Sequence, residues 1–371
     1  MINKERIVKE FCSLVAIDAE SFQERAMADA LTKMLLELGF TVEEDGAGEY
    51  YQGNCGNIYG YLDGELEGDP ILFSAHMDTV KPGIHKVAVI QADGRITSDG
   101  CTVLGADDVA GIVSIIEAIR TIKEQGIPHR SLEVLFPIAE EVYLKGSDVF
   151  DYKKVKAKEA YVLDLDGPVG TAALKAPTVE AFTAKFIGKA SHAGFAPEQG
   201  INAIRIAAEA ITLIQQGRID EETTANIGLI EGGKAKNIVP EECILRGEVR
   251  SLKHEKALSE VANIEGIFRD IAAKNKANLE FETSFGCLAY DIDRNHPVVT
   301  RYEKVCKELC YEYRFTDTFG GSDNNNFVRN GITGIVLSCG MHKVHSCEEY
   351  THVEDLVKCC SIVMKLMISR S

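Results

Sequence analysis

The chain has 371 residues, more than one ordinary core holds, because domains usually run to about 100–200 residues and two are expected here. Its 40 Lys plus Arg against 57 Asp plus Glu leave a formal net charge of −17, which repels a phosphate backbone and excludes nucleic acid as a first expectation. A 45% hydrophobic and 26% charged composition is that of a globular protein rather than a disordered one.

The 11 cysteines are odd in number and form no C-x-x-C pair, so they read as free thiols of a reducing compartment. The start, MINKERIVKEF, has no apolar signal region, and no apolar run is long enough to span a bilayer. A cytoplasmic protein without a membrane partner is expected.

In chain order, Val8, Phe11, Leu14 and Val15 have helical spacing, and Ser21-Phe-Gln-Glu24 reads as a capping box opening a second helix that ends near Gly39. Strands are expected over 57–62, 71–75, 86–90 and from Gly94. Residues 108–123 place Val109, Ile112, Val113, Ile116, Ile119 and Ile122 on one helical stripe, followed by buried strand runs over 132–138 and 160–165. From about Leu174 the pattern becomes an alternating strand (178–188), a helix (203–215), strands (226–229 and 242–250), a helix (255–274) and a strand (279–284). This reads as a separate α+β layer, after which a helix (297–310) and a buried strand (332–338) return to the first pattern.

The strand ends carry the chemistry. The run 71–75 leads into His76-Met-Asp78, 132–139 into Glu140-Glu141, 160–165 into Asp164 and Asp166, and 332–338 into a loop with His342 and His345. Gly105-Ala-Asp107-Asp108 adds carboxylates at a helix start. Ligands of open α/β sheets bind beyond the carboxyl ends of strands, so these groups are expected to meet in one crevice. Histidine nitrogen with carboxylate oxygen and no cysteine suits Zn²⁺, with Mn²⁺ or Co²⁺ admissible, and the number of donors suffices for two ions and a bridging carboxylate. A further carboxylate would take a proton from water. Singly each piece has a plainer reading, as a structural histidine, a solvated turn or a helix cap; their coincidence at successive strand ends favours a site.

These residues, in this order, resemble the M20 family of co-catalytic metallopeptidases, in its peptidase T-like branch: His76-Met-Asp-Thr-Val, Gly105-Ala-Asp-Asp-Val-Ala-Gly111, Ala139-Glu-Glu-Val, Gly188-Lys-Ala-Ser-His-Ala-Gly194, Asn237-Ile-Val-Pro240 and His345. The resemblance covers nearly the whole chain. It implies an α/β mixed-sheet catalytic domain (1–173 and 287–371) with an inserted α+β lid or dimerisation domain (174–286). It further implies two Zn²⁺, with His76, Asp107, Glu141, Asp166 and His345 as ligands, Asp107 bridging and joined to Asp108 by a cis bond.

Asp78 would orient His76, and Glu140 would be the general base acting on a metal-bridged hydroxide. The residues alone leave Asp164 and Asp166 open, since alternation puts both on one face and a rise of about 3.3 Å per residue lets one reach. The family pattern favours Asp166, at the strand end before Gly167. His192, Asn237, Arg250 and the Gly320-Gly321 turn are the implied substrate contacts, His192 as an oxyanion donor.

The expected function is hydrolysis of short peptides by a dizinc aminopeptidase, with a homodimer through the inserted domain. Carboxypeptidase, dipeptidase or N-acyl-amino-acid deacylase activity is the alternative on the same catalytic set, and a non-catalytic binding protein is a weaker one.

Overall fold

Four of the apolar runs become adjacent parallel strands: β1 (Leu66–Ser74), β2 (Arg130–Phe136), β3 (Glu159–Asp166) and β4 (Thr333–Met341), in the sheet order β2-β1-β3-β4. The computed structural model describes residues 2–369. In register, Ile71 lies between Leu132 and Glu159, and Val162 pairs with both Ser74 and Val336. Leu132–Phe136 and Gly334–Met341 are buried without a break. Strands covered on both faces need no polar face, which is why these runs do not alternate.

One face of the sheet packs Leu72, Leu135, Ala160 and Val162 against Phe150 and Phe327. Helix α1 (Ala106–Gln125) lies on the side of Leu163, the next residue along β3 and so on the opposite face. It starts after Gly105 (φ +76°) and stops at Gly126 (φ +59°), both in the left-handed region where a Cβ is unfavourable. Antiparallel strands extend the sheet beyond β2 (Ile58–Leu62, then Thr41–Glu44) and beyond β4 (Thr171–Ala176), and two short strands, Tyr290–Asp291 and Arg314–Asp317, the second parallel to Thr171–Ala176, complete nine. Because the four central strands run the same way, the residues that follow each of them gather along one sheet edge.

The described chain divides between Lys175 and Ala176 and again between Tyr290 and Asp291, the outer segments forming one compact unit and Ala176–Tyr290 the other. The boundaries expected after 173 and 286 fall inside the strands Thr171–Ala176 and Asn278–Cys287, where continuous strand pattern carries no signal of a division.

The second unit is an antiparallel sheet of five strands, in the order Gly217–Asp220, Thr223–Gly232, Glu242–Ser251, Thr178–Ile187 and Asn278–Cys287. From Glu180 to Ile187 the fourth of these strands alternates buried and half-buried residues, as a sheet with one covered face requires. That face packs Phe182, Phe186 and Leu245 with Ile264 and Phe268 of the helix His254–Lys274. The strand expected over 86–90 shrinks to Val89–Ile90, because Lys86 is buried and its Nζ donates to the carbonyls of Ile17 and Gly83. Among the described residues no helix is long and apolar enough to cross a membrane.

Candidate metal centre

His76, two residues past β1, is 1% exposed. Its Nδ1 lies 2.9 Å from the backbone oxygen of Asp78. A carbonyl can only accept, so Nδ1 carries the proton and Nε2 is the nitrogen available to a cation. Nε2 is 3.0 Å from Asp107 Oδ1 and 3.9 Å from Asp164 Oδ1. Burial pushes this imidazole down, but its bonds to Asp107 and Asp78 outweigh that and raise it well above its ordinary value. Those neighbours favour positive charge at Nε2, whether a proton or a metal brings it.

Asp78 ties the first strand end to the second. Its Oδ1 accepts the backbone N–H of Glu140 at 2.9 Å, and its Oδ2 accepts that of Glu141 at 3.2 Å and the Ser21 hydroxyl at 2.7 Å. A carboxylate so bonded holds both glutamates where β2 ends.

Asp107 lies between the two histidines. Its Oδ1 faces His76, and its Oδ2 is 3.3 Å from Nε2 of His345, which is itself 2.9 Å from Glu141 Oε2. The peptide bond from Asp107 to Asp108 is cis. Two sets of donors converge, His76 with Asp107 and Glu141, and His76 with Glu140 and Asp164; within each set the ligand atoms lie within 4.8 Å of one another.

Burial raises Glu140 and Asp164 well above the ordinary carboxylate range, with neighbouring carboxylates adding to the shift, and burial raises Glu141 as well. Asp107 shows the reverse: burial pushes it up, but the bonds from His345 and His76 prevail and hold it below its ordinary value. Hydrogen bonds to Asp107 and then to Glu141 raise His345 to about 10. Glu141 Oε1 is buried with no hydrogen-bond partner, an orphaned acceptor in the middle of the donor set. Hard oxygen donors, imidazole nitrogen and an unsatisfied buried oxygen fit a divalent cation.

Asp166, the expected ligand, is not in this cluster; Asp164 is. Asp164 is half-buried beside His76, whereas Asp166 is exposed at the very end of β3. The strand carries its inner carboxylate to the metal donors and its outer one past them. Gly321 lines a cavity of about 300 Å³ together with Asp107, Glu140, Glu141, Asp166 and His345.

The remaining expected residues belong to the second unit. His192 pairs with Ile238 in a two-stranded ladder, and Asn237 accepts the N–H of Ala193 through its backbone oxygen. His192 Nδ1 accepts the N–H groups of Gly194 and Phe195, both at 3.1 Å, and its ring stacks on Phe195 at 4.2 Å. Arg250 departs from expectation: its guanidinium is engaged by Glu248 of the same strand, Nε to Oε1 at 2.7 Å and Nη2 to Oε2 at 3.2 Å. A fork so occupied is not open to a substrate carboxylate.

Sequence reasoning missed the buried acids that hold the ligand loops. Ser21 and Glu24, read as a capping box, do something else: Ser21 bonds Asp78, and Glu24 accepts from Phe22 N and from Ala139 N at 3.0 Å, just before the two glutamates. Asp108, expected only as a carboxylate at the helix start, accepts from His76 N. Glu349 accepts the N–H of Gly105 at 2.7 Å and of Asp107 at 2.9 Å. Asp323 receives the Ser147 hydroxyl at 2.5 Å. The available signal was weak: acids beside turns, with partners up to 244 positions away.

A family model described as a peptidase dimerisation domain matches residues 180–276, and one for peptidase family M28 matches residues 57–205. The chain is 36% identical to the uncharacterized protein YqjE of Bacillus subtilis over 367 residues, 99% of each chain. Among solved structures it is similar to a tripeptidase of Staphylococcus aureus, at 34% identity and TM-score 0.95, covering 99% of this chain and 98% of that one. It is also similar to the aminopeptidase PepT of Bacillus cereus, at 38% identity and TM-score 0.90 with the same coverage. With strand-end histidines and acids in the order of its motifs, a mixed sheet carrying an inserted unit, and full-length relatives at this identity, the chain belongs to the M20 peptidase family, in its peptidase T-like branch, and is a peptidase.

Proposed function

We propose that the protein is a cytoplasmic dizinc aminopeptidase of short peptides, dimeric through the inserted unit. The observation that carries this reading is the double set of donors around His76, with the orphaned Glu141 Oε1 among them. His76, Asp107 and Asp164 would hold one ion and Asp107, Glu141 and His345 the other, Asp107 being the acid that faces both histidines. Zn²⁺ bound there would supply Lewis-acid polarisation of the scissile carbonyl and acidify a water molecule.

Glu140 would serve as the general base, its carboxylate accepting a proton from the attacking water and giving it to the leaving amine. Its position supports this role: its carboxylate lies with His76 and Asp164 in one set of converging donors, on the wall of the cavity. Asp78 keeps Glu140 in place through the backbone. In the second unit, the two N–H groups donated to His192 Nδ1 put the imidazole proton on Nε2, the form that donates to a developing oxyanion. Gly321, on the cavity wall, is the proposed contact for substrate backbone. Arg250, held by Glu248, receives no substrate role.

The Glu140→Ala variant tests the base. Turnover should fall by about 10²–10⁴-fold while metal content stays at the wild-type value. Near-normal kcat with full metal content would remove Glu140 from the mechanism.

A further inference from the structure

With Asp164 in the metal cluster, Asp166 has no task there. It lies two residues further along β3, is exposed, and lines the same cavity as Asp107 and Glu140. Among the described residues its carboxylate has no hydrogen bond or ion pair. Glu24, Asp78, Asp108, Asp323 and Glu349 each accept a hydrogen bond from the chain. Asp166 is left facing the space a substrate would enter.

A negative group on that wall adds to the repulsion among the inner acids unless a ligand brings positive charge. In a peptide, the positive group at a fixed position beside the first carbonyl is the free α-ammonium. Its nitrogen is about 2.5 Å from the carbonyl carbon of its own residue, by standard backbone dimensions. A charge-assisted bond to a carboxylate adds about 2.8 Å. Strand positions two apart are separated by about 6.6 Å. The first two lengths together span most of that separation, so a carbonyl presented beside Asp164 and Glu140 turns its own α-ammonium toward the Asp166 end of the strand.

We infer that Asp166 binds the free α-ammonium of the substrate's first residue and so makes the site select unblocked N-termini. An N-acyl group would remove the positive charge and set a carbonyl oxygen against the carboxylate. The inference rests on the aminopeptidase reading and identifies the residue behind it.

The test compares zinc-loaded wild type and Asp166→Asn on one tripeptide with a free and an N-formylated amine. Metal content is measured alongside, as are the inhibition constants of the tripeptide and its des-amino analogue. In wild type the free amine should be preferred, and Asp166→Asn should shrink the free-to-formyl ratio of kcat/KM by about 10–100-fold with the metal content unchanged. The ratio of inhibition constants should shrink in parallel, which covers formyl turnover too slow to follow. A variant that keeps the wild-type preference overturns the inference. Loss of a metal equivalent overturns it too, by making Asp166 a ligand. A wild type indifferent to the blocking group overturns the aminopeptidase reading together with the inference that depends on it.

Discussion

The centre is organised by acids that bind backbone as much as by acids turned toward the histidines. Asp78 receives two N–H groups at the end of β2, and Glu349 receives two at the start of α1. Glu349 follows His345 by four residues in a loop closed by the His342–Tyr350 bridge, so one side chain ties the His345 loop to the Asp107 loop. Glutamine at this position keeps the shape but turns an N–H₂ toward one of the two N–H groups. Glu349→Gln should therefore weaken zinc binding by about 10–100-fold, the usual effect of removing a ligand's supporting partner. Calorimetric titration of the stripped variant measures it, and an unchanged affinity would reduce Glu349 to a structural acid.

At the scale of the elements, the four parallel strands and α1 were legible because full burial on both faces writes unbroken apolar runs, and a helix against a sheet writes a stripe. The meeting of His76, Glu140, Glu141 and His345 followed from those strands sharing one direction. Two things were not legible. Alternation gives Asp164 and Asp166 the same side, and only where β3 ends relative to His76 separates them. Ser21-Phe-Gln-Glu24 has the composition of a cap, yet Glu24 is buried against Ala139 of a distant loop, a contact that local sequence does not encode.

Close approach of α1 to β3 explains one glycine. A Cβ on Gly111 would lie 2.6 Å from the carbonyl oxygen of Leu163 and 2.5 Å from Asp108 Oδ1. Gly111→Ala should destabilise the protein by about 1–3 kcal/mol through overpacking, despite alanine's better helix propensity. Thermal or denaturant unfolding would register it, and an unchanged midpoint would mean that α1 lies further from the strand.

For the whole molecule, the −17 net charge has a local meaning only at the sheet edge. Burial raises Glu24 and Glu349 to about 7 and Asp323 to about 6, while the carboxylates of an unfolded chain stay near their ordinary values. The folded state then binds these protons more tightly than the unfolded one. Their contribution to stability is present at low pH and is lost as pH rises through about 6–7. His345, raised to about 10, has the same sign at higher pH. Chelator-stripped protein should accordingly lose thermal stability from pH 5 to 7.5, and the increment restored by Zn²⁺ should grow over that range, because binding displaces protons. A Tm increment independent of pH would contradict the assignment of these acids to the neighbourhood of a cation.

The claim on which the rest depends is that these strand ends hold two divalent ions. Isothermal titration of the stripped full-length chain with Zn²⁺ tests it most directly. Two equivalents per chain are expected, with Asp164→Ala retaining one and Asp166→Ala retaining both. Fewer than two equivalents in the wild type, or loss of an ion with Asp166 rather than Asp164, would contradict it.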